Sequence, residues 1–180
     1  MTMSGPVEIY RQVAGKWSDL TSGIASDQWD NRTPCREWNV RQLVDHVDAW
    51  QTQGGNLLGM DIPAGAAWPD IQAAFDATLS DPSQLTGAVP EFGGMAKHDL
   101  AAFLIGDLLI HCWDLARSIG ADDALPPDAV EATTMGLHHA PEPLLRGTNP
   151  LGAAMMAAAV AVPDDASVQD KMIAYTGRRP

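Results

Sequence analysis

Basic charge is scarce in this chain. Of 180 residues only 11 are Lys or Arg, three of them Lys, against 23 Asp and Glu, for a formal net charge of −12. Nucleic acids are gripped by clustered Lys and Arg on phosphates, so nucleic-acid binding is excluded as an expectation. An anionic membrane surface is disfavoured for the same reason. Cysteine is nearly absent. Cys35 and Cys112 lie far apart and form no CxxC pair, so two free thiols are expected. No apolar stretch reaches bilayer length. The run around Ile105 is interrupted by Asp107 and His111, and residues 151–162 are too few and too Ala-rich. The N-terminus lacks a basic-then-apolar leader, and a cytoplasmic protein is expected. Neither a Ser/His/Asp pattern nor a Gly-rich phosphate loop is present.

What is present reads as one globular domain over residues 1–180. Hydrophobic content is 46% and charged content 19%, enough for a substantial core. Ala, Asp, Gly and Pro are plentiful, a bias of GC-rich bacterial genomes. Val7, Tyr10, Val13, Ala14, Trp17 and Leu20 form one stripe at helical spacing, which predicts a helix over Ser4–Ser22. Ala25–Trp38 is too rich in turn residues to be helical. Asn39 is placed to cap a second helix running to Leu58, locally weakened by Gly54 and Gly55. A short third helix is expected over Asp70–Leu79, with Pro69 at its first position. Ser80–Met95 reads as irregular, with extended pieces around Val89 and Phe92. Lys97–Ile119, closed by Gly120, is apolar nearly all round and should be the central helix. Further helices are expected over Pro126–Ala140 and Ala166–Tyr175, with Leu151–Val160 either helix or buried strand.

Polar residues inside the apolar periodic runs are the conspicuous feature. Asp107 and His111 stand four apart in the central helix, and Asp114 follows three later, so the three share one stripe. A buried carboxylate without a partner costs several kcal/mol or more. A divalent cation removes that cost, and His46, on the inner side of the second helix, supplies a third ligand. Asp114 then falls where it could orient a ligand imidazole. The competing reading is an ordinary helical Asp–His pair and a hydrogen-bonded histidine. His98, His138 and His139 are weaker candidates, the last two pointing about 100° apart. Cys112 reads as core, Cys35 as a turn or packing residue, and Arg178 and Arg179 as a solvated tail.

Three stretches together resemble a known family. Trp29 followed by Thr33-Pro34-Cys35-Arg36-Glu37-Trp38-Asn39-Val40-Arg41-Gln42-Leu43-Val44-Asp45-His46-Val47 resembles the opening of the DinB-like superfamily, in its mycothiol-dependent maleylpyruvate isomerase N-terminal branch. Residues 107–116, Asp-Leu-Leu-Ile-His-Cys-Trp-Asp-Leu-Ala, resemble that branch's second motif. The tail from Val162 to Pro180 resembles the C-terminal motif of its small actinobacterial members. The resemblance implies an all-α, up-down-down-up four-helix bundle with additional C-terminal elements. It also implies a divalent metal, zinc or nickel, on His46, Asp107 and His111. This chain carries Asp where relatives carry Glu or His. Characterised relatives are thiol-dependent isomerases and S-transferases, so mycothiol is the implied co-substrate. The two-domain isomerases have a further domain that this chain is too short to hold.

With three protein ligands, a metal keeps an open position and lowers the pKa of a bound thiol. The expected activity is thiol S-transfer to a small electrophile. A non-catalytic metal-binding or stress-response protein and a metal-dependent hydrolase remain as alternatives. Homodimerisation is common among such bundles, but the sequence shows no decisive interface stripe.

Overall fold

The computed structural model describes residues 4–36, 38–148 and 156–180 of the 180-residue chain. The elements run α1 (Pro6–Ser22), α2 (Val40–Leu58), α3 (Trp68–Leu79), β1 (Ala88–Val89), β2 (Met95–Ala96), α4 (Lys97–Ile119), α5 (Pro127–His139), α6 (Glu142–Arg146) and α7 (Val168–Tyr175). Among the described residues the protein is all-α apart from one two-stranded antiparallel pair, Ala88 opposite Ala96 and Val89 opposite Met95, and an isolated bridge between Arg32 and Asn39. That pair brackets the chain reversal before α4.

Helix α4 is central, as its composition predicts. Leu100, Leu104, Leu108, Leu109 and Leu115 are fully buried, each stabilising the fold by about 1.5–3 kcal/mol relative to exposure. Helices α1 and α2 each pack against both α3 and α4, α5 lies against α1 and α4, and α7 packs on α5. One apolar cluster joins all of these helices, with Tyr10, Trp17, Phe75 and Trp113 among its largest members. No described helix is long and apolar enough to cross a membrane.

Helix α2 begins where a reciprocal cap sets it. Asn39 Oδ1 accepts from the Gln42 backbone at 2.9 Å, and Gln42 Oε1 accepts from the Asn39 backbone at 3.0 Å. The preceding loop is tied to the far end of α4, Gln28 donating to the Ile119 carbonyl and Asn31 to that of Ser118, both at 2.9 Å. Gly54 does more than weaken α2. A Cβ there would lie 2.5 Å from Leu104 Cδ2, so its absence lets α2 and α4 approach closely.

Several local expectations are corrected. Residues 156–160 form neither helix nor strand; they run as a partly exposed strap, with Met156 N bonded to Leu145 O and Val160 N to Ala174 O, both at 2.9 Å. The rest of that predicted segment, 151–155, lies outside the described residues. Helix α3 begins at Trp68, two residues before the predicted start. Helix α6 was not anticipated.

Candidate metal centre

Helices α2 and α4 place His46, Asp107 and His111 around one point. One ligand atom from each lies within 4.8 Å of those of the other two. His111 Nε2 is 3.7 Å from Asp107 Oδ1. The His46 and His111 rings meet edge to face, their centroids 5.2 Å apart. Trp38 stacks on His46 at 4.1 Å and forms one wall of the cluster.

The second oxygen, Asp107 Oδ2, is buried without a hydrogen-bond partner among the described residues. A buried carboxylate oxygen left so costs about 1–3 kcal/mol or more. A carboxylate and two imidazoles with ligand atoms this close together are suited to a divalent cation. On these grounds the residues present fit a metal ion.

His111 is held from its other edge by a denser cluster. Asp114, fully buried, accepts from His111 Nδ1 at 2.9 Å through Oδ2. The same oxygen accepts from the Cys35 thiol at 3.2 Å and from Arg178 Nη2 at 2.7 Å. Arg178 Nε donates to the other oxygen, Oδ1, at 2.8 Å, completing a two-pronged pair. Arg178 Nη2 also reaches Cys35 Sγ at 3.3 Å. The expectation of a solvated tail is therefore corrected for Arg178, whose side chain is only 13% exposed. Cys35, expected as a turn or packing residue, has its thiol in this cluster. Cys35, His111 and Asp114 also lie within ligating reach of one another, but the guanidinium already supplies the cation there.

Charge follows from these surroundings. Burial would raise the Asp114 pKa, yet Arg178 and His111 hold its carboxyl well below the usual range. Burial and the neighbouring His111 push His46 down to about 4, so it is neutral at pH 7 with a free lone pair. Burial alone would lower His111 as well. Asp107, Asp114 and Cys35 outweigh it and push His111 up to about 10. Without metal, then, the proton on Nε2 is the positive charge that faces Asp107.

The other histidines stand apart from the triad's ligand set. His98 pairs with Asp99 at an exposed helix start, His138 packs edge-on against Tyr175, and His139 bonds the Met135 carbonyl. Cys112 is core, fully buried with its thiol toward the Val13 carbonyl.

Residues 10–83 match the family model of the mycothiol maleylpyruvate isomerase N-terminal domain. Over that segment the chain is similar to that family. Two uncharacterized proteins from two strains of Mycobacterium tuberculosis are each 27% identical over 135 residues, covering 70% of this chain and 74% of theirs. No solved structure matches. The segment matching the mycothiol maleylpyruvate isomerase family takes in most of α1 and all of α2 and α3 with His46, and ends before α4. Asp107 and His111 enter the site through their geometry.

Proposed function

We propose that this protein binds one divalent metal ion through His46, Asp107 and His111 and uses it to transfer a small bacterial thiol of the mycothiol type to an electrophile. The single observation that carries the reading is the Asp107 carboxylate, gathered with two imidazoles within ligating reach and left with Oδ2 unpartnered among the described residues. The family match supplies the thiol.

A divalent ion at this point supplies a Lewis-acidic open position that favours the thiolate form of a bound thiol at neutral pH. The chain's own residues prepare for it. His46 presents a neutral nitrogen, since its pKa lies near 4. Asp107 supplies negative charge. To hold an ion, His111 would offer Nε2 without its proton, with Nδ1–H donating to Asp114. Trp38 shields His46 on one side and limits water there.

A second reading has one observation in its favour. The cleft of about 720 Å³ along α2 is lined by Asp45, Asp48, Thr52 and Asn56 among others, and by none of the three candidate ligands. A metal-binding protein without turnover needs no cleft at its ion. Purified protein, assayed for metal content and for thiol conjugates with alkyl halides, epoxides and activated alkenes, separates the two. Near-equimolar metal with conjugate formation supports the transferase. Metal without any conjugate across the panel favours the binding protein, and no metal removes both.

A further inference from the structure

We infer that Arg178 is a positioning residue of this centre, holding Asp114 so that His111 keeps Nε2 turned toward His46 and Asp107. The inference rests on the metal reading above. Three observations carry it. The first is reach: Arg178 spans 64 residues of sequence to grip both oxygens of Asp114, with bonds of 2.8 and 2.7 Å. The second is sharing. Oδ2 takes Arg178 Nη2, His111 Nδ1 and the Cys35 thiol at once, so displacing the guanidinium moves the acceptor that orients the imidazole. A fork of two parallel bonds fixes the carboxylate plane, which a single contact does not.

The third observation is the way the chain delivers the arginine. Helix α7 ends at Tyr175, and Gly177 adopts φ +89°, a left-handed turn favoured by glycine. Its amide bonds the Ala174 carbonyl at 3.0 Å. A Cβ at Gly177 would fall 2.6 Å from Ala157 Cβ, so the strap and the turn fit only without a side chain. The turn sends Arg178 into the core while Arg179 and Pro180 follow outside it. An ordinary buried ion pair would need none of this coupling to a histidine already facing two other ligand types. The C-terminal segment is therefore part of the metal centre although it contributes no ligand.

The test uses the full chain in three variants. Arg178→Ala removes the fork. Arg178→Lys keeps the charge without the fork. Arg146→Ala loosens the same tail elsewhere, because Arg146 donates to the Tyr175 carbonyl at 2.8 Å and not to Asp114. Zinc and nickel affinities are measured by competition with a chromophoric chelator. The His111 Nδ1–H resonance is followed by NMR with and without zinc. Arg178→Ala should weaken metal binding by about 10–100-fold, Arg178→Lys should fall between it and wild type, and Arg146→Ala should stay within about twofold. The Nδ1–H resonance should shift or vanish only in the Arg178 variants. Wild-type affinity and an unshifted resonance in Arg178→Ala overturn the inference while leaving the metal reading intact. An equal loss in Arg146→Ala overturns it too, because the tail is then merely structural. Should Arg178→Ala not fold, Arg178→Lys decides, and wild-type behaviour there is the overturning result. If wild-type protein binds neither ion, the metal reading fails by itself, and the Nδ1–H resonance alone then upholds or overturns the positioning role.

Discussion

The two edges of His111 face clusters of similar composition and opposite condition. At Nδ1, Asp114, Cys35 and Arg178 are mutually satisfied: both carboxylate oxygens are bonded, and a guanidinium balances the charge. At Nε2, Asp107 and His46 converge without closing, and Asp107 Oδ2 has no partner among the described residues. Both groups have the residue types and spacing of a metal site. The lesson is that spacing alone does not choose between them. Saturation separates them: the Asp114 cluster is bonded among its own members, whereas Asp107 keeps one oxygen unpartnered among the described residues.

The largest expected effect comes from breaking the filled side. Asp114→Ala leaves Arg178 buried without its partner, and denaturant unfolding should show a loss of about 3–5 kcal/mol. The next effect lies on the unfilled side and depends on pH. His111 is raised in the folded, metal-free chain to about 10, from about 6.5 when unfolded. A raised histidine gives stability that is full below the unfolded value and is lost as pH rises through the folded one. Metal-free protein should therefore lose stability between pH 7 and pH 10, whereas zinc affinity should rise over the same range because the ion competes with the Nε2 proton. A flat metal-free stability profile over that window would contradict the charge assigned to His111.

Gly54→Ala tests the approach of the two helices that carry the comparison. The added methyl meets Leu104, costs about 1–3 kcal/mol, and should weaken metal binding by separating His46 from α4. Thermal melts and metal titration check the two halves of that statement. Asp107→Asn should have the smallest effect on stability, about 1 kcal/mol in either direction, with metal affinity reduced by more than about 100-fold. A stability loss as large as that of Asp114→Ala would show that the two edges are equivalent after all.

Much of the fold was legible because its signals are local. The apolar run and Gly120 set α4 at Lys97–Ile119, and Asn39 set the start of α2. The candidate ligands were legible because a charged residue in an apolar helix is conspicuous. The filled cluster was only partly so. Cys35 sits in an irregular loop and Arg178 in a polar tail, and neither has a local pattern that points to Asp114, 79 and 64 residues away. Their meeting is a product of tertiary return, governed by the Gly177 turn and by the loop bonds to the end of α4. The stretch before α7 misled for the opposite reason. Ala-rich sequence reads as apolar, but small side chains bury little, and residues 156–160 run as a strap whose amides are met by Leu145 and Ala174. Gly54 and Gly55 looked like defects because the partners they accommodate, Leu104 and Ile62, are known only once the helices are packed.

Zinc titration of metal-free wild type beside His46→Ala tests the central claim most directly. His46 is remote from α4 in sequence and belongs only to the unfilled side, so the variant leaves the Asp114 cluster untouched. The account predicts one ion per chain in wild type and a loss of that site in the variant. Equal binding by both proteins, or none by either, would contradict it.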